Sequence, residues 1–203
     1  MSLRKLNIGC GRDIKKDCVN LDCMKREGVD VCWDLNKYPW PFEDNAFSEI
    51  YANHILEHID DLKKTMEEIR RVCADGARVF ITVPHFSFVG AYWDPTHKRF
   101  FSYFTFDYLE TGTYGFPFFR TARKKLNFTG QKFTFLNRVF NPFLNLSPVL
   151  YERFFCWIFP CAEVKAELEV LKQDGQTGSI LQDKQSGLPR KGHVNWRRKV
   201  FDF

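Results

Sequence analysis

The chain lacks any long apolar run: Phe154–Phe159, its most hydrophobic stretch, is cut off by Pro160, far short of the ~20 residues that a membrane-spanning helix needs. It lacks a Cys-x-x-Cys pair, and its seven cysteines (10, 18, 23, 32, 73, 156 and 161) are odd in number and scattered. That pattern argues against a disulfide framework and against a thiolate zinc site. With nothing resembling a secretory signal ahead of them, the cysteines read as reduced thiols of a soluble, cytoplasmic protein. Acidic residues are missing from 111–151, although six Lys or Arg and eight of the 22 Phe fall there. The remainder of the chain is nearly neutral, so this stretch accounts for the whole of the net charge of +5.

What is present suits one packed domain: 203 residues, 44% of them hydrophobic. Short apolar runs at Arg4–Ile8, Cys18–Asp22, Val29–Trp33 and Ser48–Ala52 read as strands. From Ile55 to Cys73, apolar residues recur at helical spacing (Ile55, Leu56, Ile59, Leu62, Met66, Ile69, Val72). Asp75-Gly76 is expected to stop that helix before a further strand, Val79–Val83. Strands that are almost continuously apolar, alternating with turns and helices, predict an α/β fold: a Rossmann-like, doubly wound three-layer sandwich around a mostly parallel sheet. Beyond Pro84 the pattern predicts a helix over Phe106–Glu110, a strand over Lys132–Leu136, a helix over Pro148–Phe159 and a last strand over Ala162–Leu171. The expected organisation is a single domain over 1–172, with a core at 5–84, an aromatic-rich substrate-side insertion at 85–161 and a final strand at 162–172. Residues 173–203, rich in Gly, Gln, Ser and Lys toward their start, are expected to be a flexible tail.

Gly9-Cys10-Gly11 closes the first strand at its carboxyl end, where open α/β sheets hold ligands and where glycine lets backbone approach them closely. Any strand-to-turn junction can hold two glycines, so the turn gains meaning only from its neighbours. Asp22 ends the second strand, where a carboxylate can accept both hydroxyls of a ribose. Asp34 follows the third, in reach of an adenine amino group.

Four stretches together resemble the class I S-adenosylmethionine-dependent methyltransferases of the small-molecule type: Leu6 to Gly11; Asn20-Leu21-Asp22; Pro41 to Phe47 with Asn53 to His58; and Arg71 to Gly76. The likeness covers residues 5–84 and continues loosely through Asp94 to Lys98 and Glu163 to Lys172. It implies S-adenosyl-L-methionine as cofactor, with Gly9, Cys10, Gly11, Asn53 and His54 around its methionine part. Asn7, Asp22, Cys23, Asp34 and Leu35 complete the implied cofactor set. The chain departs from the family pattern in placing Asn7-Ile8 where an acidic residue is usual and Arg12-Asp13 where a third glycine is usual. Only seven residues separate Gly11 from Val19, so the first helix must be a stub or absent. A nicotinamide dinucleotide enzyme needs that helix N-terminus for its pyrophosphate, whereas S-adenosylmethionine carries no phosphate.

His54, Glu57 and His58 stand at i, i+3 and i+4, a spacing that can seat a divalent metal, although His58 can equally pack in a metal-free core. The reading adopted is no metal, with these three as the alternative ligand set. His97 is the candidate general base, because its ordinary pKa of about 6.5 suits proton transfer, or else a loop histidine tied to Asp94. Methyl transfer needs little beyond alignment of nucleophile, methyl and sulfur, so a base can be dispensed with. The basic, Phe-rich stretch 111–151 can hold RNA, lie on an anionic membrane or lipid-linked substrate, or simply be aromatic core with a basic rim. Arg120, Arg123, Lys124 and Lys125 are its most concentrated charges. The function expected is transfer of a methyl group to an oxygen or nitrogen of a small or carrier-linked acceptor. The alternative is a non-catalytic module binding nucleic acid or a membrane surface on a degenerate form of the same fold.

Overall fold

The computed structural model describes residues 4–130 and 132–172; the expected tail, 173–203, lies outside the described residues. Seven strands form one sheet in the order β3-β2-β1-β4-β5-β7-β6. They are β1 (Arg4–Ile8), β2 (Val19–Asp22), β3 (Val31–Cys32), β4 (Phe47–Asn53), β5 (Cys73–Pro84), β6 (Phe119–Asn127) and β7 (Glu163–Val170). The first five pair in parallel, and β7 runs antiparallel to both β5 and β6. This is the mostly parallel Rossmann-like sheet that the apolar runs predicted. Its centre is buried on both faces, with Leu6, Ile8, Leu21, Ile50, Ala52, Val79, Ile81, Val83, Val164 and Leu168 almost without exposure.

Among the described residues no helix lies between β1 and β2 or between β2 and β3, so the first helix is absent rather than a stub and the next connection is a loop as well. Buried asparagines fasten the first of these loops. Asn20 accepts from the Lys15 amide at 2.9 Å and donates to the carbonyls of Lys15 and Cys18, while Asn7 donates to the Asp13 carbonyl at 2.7 Å and to Asn20 Oδ1. These side chains satisfy backbone groups that a helix would otherwise pair internally.

The predicted helix over 55–73 is broken in two. A single 3-10 turn, Leu56–His58, is followed by extended backbone at Ile59, and α1 (Leu62–Val72) starts afresh on Asp61, whose carboxylate accepts from the Lys64 amide at 3.0 Å. Met66, Ile69 and Val72 face the core, each worth about 1.5–3 kcal/mol of apolar burial. On the outer side Arg71 holds Glu68, Asp44 and the carbonyls of Phe42 and Trp40, which pins the proline-rich loop ahead of β4. Asp75-Gly76 does not end the helix as expected, because Val72 already does. The dipeptide instead bulges from β5, whose pairing with β4 skips from Phe47↔Cys73 to Glu49↔Arg78. Gly76 takes φ +75° there.

The later chain departs further from the periodicity. Short helices α2 (Gly90–Trp93) and α3 (Asp107–Thr111) precede β6, and α4 (Asn137–Leu146) and α5 (Pro148–Leu150) follow it, the last continuing as a π-helical turn over Tyr151–Phe155. The strand predicted at Lys132–Leu136 is a 3-10 turn at Thr134–Leu136, entered through Phe133 at φ +55°. β6, which no apolar alternation announced, is the sheet's edge. Arg and Lys occupy four of its nine positions, a composition that discourages pairing with a further strand.

Candidate active site

The carboxyl ends of β1, β2, β3 and β4 meet around Gly9-Cys10-Gly11. Gly9 sits at φ +60°, and a Cβ on it would lie 2.4 Å from Ile55 Cγ1, so glycine is required there both conformationally and sterically. Gly11, at φ +52°, has nothing within 4 Å of where a Cβ would stand, so its bare face looks onto open space. The turn is tied to the next strand twice, by the Cys10 amide to the Leu21 carbonyl at 3.0 Å and by the Gly11 amide to Asp22 Oδ2 at 2.8 Å. Asp22 Oδ1 accepts from the Met24 amide at 2.9 Å. Each Asp22 oxygen thus has a backbone donor that fixes it and retains acceptor capacity for a ligand hydroxyl.

Asp34 is half-buried two residues beyond β3, with Oδ1 accepting from the Asn36 amide. Asn53 donates to Asp13 Oδ2 at 3.3 Å. Two residues of the expected cofactor set contribute from beneath. Asn7 is buried and spends its amide group on Asp13 and Asn20, so it shapes the loop, and Leu35 belongs to the core. Cys10 is also buried; burial, then the Asp22 charge, push its thiol up to about 11, so it is a small neutral residue in the turn. Cys23 is exposed beside the end of β2.

His54 follows β4 at φ +51°. Its Nε2 meets Glu163 Oε1 at 3.2 Å and its Nδ1 lies 3.3 Å from Glu57 Oε1. The bond to Glu163 and the nearby Glu57 carboxylate overcome partial burial and raise the imidazole to about 9, so His54 carries a proton at neutral pH. Burial alone would raise Glu163, but His54, Lys165 and Asn127 bring it down to about 2. Glu163, 109 residues away on β7, was invisible to sequence reasoning: no local pattern relates it to His54.

The metal-ligand grouping suggested by spacing is redistributed. His54 turns to Glu163, whereas Glu57 and His58 are joined by His97, one ligand atom of each lying within 4.8 Å of the others. The His58 and His97 rings meet edge to face at 4.7 Å between centroids. His97 donates from Nδ1 to the Ala91 carbonyl, 2.9 Å away, while its Nε2 is 3.9 Å from Asp94. The turn Asp94–His97 is closed chiefly by Thr96, whose hydroxyl and amide both donate to Asp94.

Residues 9–81 match the model of the methyltransferase domain family. That stretch of the chain is similar to this family. The fold agrees over most of the chain. An S-adenosylmethionine-dependent methyltransferase of Archaeoglobus fulgidus is 20% identical and superposes over 82% of this chain and 86% of its own with a TM-score of 0.60. One from Thermotoga maritima is 16% identical over 85% and 83%, with a TM-score of 0.52. The [4+2]-cyclase SpnF has the same fold at 15% identity, over 84% and 75%, with a TM-score of 0.55. No curated protein matches the sequence. S-adenosyl-L-methionine is the cofactor to expect in such a domain, and the open glycine face beside a backbone-anchored carboxylate fits a ribose-bearing ligand with no phosphate.

The basic stretch resolves into separate parts. Arg120 pairs with Glu169, and Lys124 pairs with Asp107 under cover of Tyr103 and Phe104. These charges bind the edge strand to its neighbours. Among the described residues no helix is long and apolar enough to cross a membrane.

Proposed function

We propose that this chain transfers a methyl group from S-adenosyl-L-methionine to an oxygen or nitrogen of a carrier-linked acceptor held at an anionic membrane surface. The observation that carries the transfer reading is the Gly11–Asp22 pairing at adjacent strand ends, with open space over Gly11. In this reading Asp22 takes the ribose hydroxyls, Asp34 the adenine edge, and Gly9 to Gly11 with Asn53 the methionine part. The cofactor supplies a methyl on a sulfonium. The protonated His54, both of whose ring N–H groups face carboxylates of the protein, contributes a positive charge rather than a base. The acceptor's lone pair forms the new bond to the methyl carbon in line with the carbon–sulfur bond that breaks, and alignment supplies much of the rate. The acceptor's proton passes to solvent or, where its Nε2 lone pair is free, to His97.

The acceptor's setting is read from the last third of the chain. Phe143, Leu146, Leu150, Phe154, Trp157 and Ile158 are all exposed, Leu146 at 85%. From 132 to 159 the only acid is Glu152, which turns inward to His85, Ser102 and Tyr103, while Lys132, Arg138 and Arg153 accompany the apolar groups. Exposed aromatics among cations suit the headgroup region of an anionic bilayer. RNA is the less favoured partner, because Arg120 and Lys124 are already paired.

Calorimetry of the full chain should show S-adenosylmethionine and its demethylated product binding, with at least a tenfold loss in Asp22→Ala; absence of binding to the wild type would overturn the enzyme reading. Flotation with phosphatidylglycerol vesicles should carry the wild type but not a Leu146→Ser/Trp157→Ser double variant. Equal flotation of both, or salt-dependent RNA binding instead, would overturn the membrane part alone.

A further inference from the structure

Glu57 is 1% exposed, yet neither of its carboxylate oxygens accepts a hydrogen bond from any described residue. His54 lies against Oε1 as an ion pair, which leaves Oε2 without a donor. A buried carboxylate oxygen without a donor is unfavourable even with the His54 charge beside the other oxygen, and a further positive partner would complete it. Two imidazoles stand next to it, and their other contacts decide which nitrogen each presents. The Thr96 hydroxyl has one proton, and it goes to Asp94 Oδ1 at 2.7 Å, so at 2.8 Å from His58 it must accept the proton of His58 Nδ1. The Ala91 carbonyl has only lone pairs, so it takes the proton of His97 Nδ1 at 2.9 Å. Both rings, when neutral, therefore keep a bare lone pair on Nε2, and both are oriented through the opposite nitrogen. That arrangement is how metal-ligating histidines are usually held.

We propose that Glu57, His58 and His97 form a site for one divalent transition-metal ion of the manganese-to-zinc series. Two imidazoles and one carboxylate suit these ions over magnesium or calcium, which prefer all-oxygen surroundings. Ligand atoms within 4.8 Å of one another need to close by about an ångström or so to reach the ~2.0–2.2 Å bonds of such a site. Three protein ligands leave coordination positions for water or for an oxygen of a bound molecule. The sequence encodes two ligands one residue apart in the turn after β4 and supplies the third from the loop after α2. Asp94 and Thr96 form the supporting layer.

The inference stands independently of the methyl-transfer reading, and its test reads metal alone. Purified full-length protein, stripped with chelator and dialysed, is titrated with Zn2+ by calorimetry and with Co2+ by visible absorption. One ion per chain is expected, with the intense visible bands of a low-symmetry cobalt site. His97→Ala should abolish stoichiometric binding. Thr96→Val, which keeps all three ligands but removes the acceptor that orients His58, should weaken it by about 10- to 100-fold. Circular dichroism of each variant separates loss of the site from loss of the fold. If the wild type binds no Zn2+ or Co2+, or if folded His97→Ala and Thr96→Val bind as the wild type does, the site does not exist.

Discussion

The two halves of the sheet are stabilised in different ways. On the β3-β2-β1 side the connections are helix-free, and polar side chains do the fastening: Asn7, Asn20, Asp22 and Asp30 reach backbone amides and carbonyls that would otherwise be orphaned. On the β5-β7-β6 side the sheet ends in an antiparallel ladder. It is laced by Arg120–Glu169 and Arg78–Glu167 and followed by helices whose outer surfaces are apolar. The first half uses buried polar groups to hold the glycine turn; the second uses ordinary pairing and is followed by helices with exposed apolar groups. Polar fastening and apolar exposure are thereby separated along the sheet.

The largest expected effect that probes this contrast is at Gly9. Gly9→Ala forces a Cβ against Ile55 and an L-residue into positive φ. Destabilisation of about 2–4 kcal/mol should appear in urea unfolding. Cofactor affinity should fall with it, whereas Gly112→Ala, also at positive φ but with only the Phe116 carbonyl 3.7 Å away, should cost about 1–2 kcal/mol and leave cofactor affinity unchanged. Next is Asn20→Ala, which strips partners from Lys15 and Cys18. A loss of about 2 kcal/mol is expected, with hydrogen exchange accelerated across residues 10–18 and unchanged in β7; uniform acceleration would mean that the asparagine is general core rather than a local fastener.

The smallest effect lies at the seam, where His54 grips Glu163 across β5. The folded His54 pKa of about 9 exceeds its unfolded value of about 6.5. Its stabilising contribution is therefore complete below the unfolded value and fades as pH rises through 9. Glu163, depressed to about 2, contributes above its unfolded value of about 4.3 and loses that contribution as pH falls toward 2. Thermal midpoints measured from pH 7 to 10 should decline modestly in the wild type. A Glu163→Gln variant should show a flatter profile, and identical slopes would remove the pairing.

Much of the first half was legible because its signals are local. Apolar runs gave β1, β2 and β4, and the positions of Asp22 and Asp34 after apolar runs placed them at the carboxyl ends of strands. The break at Ile59–Asp61 was not legible, since Ile59 fits a helical stripe and only the cap on Asp61 resets the register. β6 escaped because an edge strand needs few apolar residues, so its charges looked like a binding surface when several are pairing partners. The spacing of His54, Glu57 and His58 gave no sign that His97 lies beside Glu57 and His58 or that His54 also reaches Glu163.

The sequence by itself determined the glycine turn, the acidic strand ends and the shortness of the first connection, because each follows from chemistry within a few residues. Only the tertiary structure decided that His54 belongs to Glu163 and that His97 joins Glu57 and His58. Those partners come from β7 and from the loop after α2, and proximity across a folded sheet leaves no periodic trace in the chain. The glycine turn could be read because backbone conformation is a local constraint. The groups around it could not, because side-chain pairing is a property of the packed sheet.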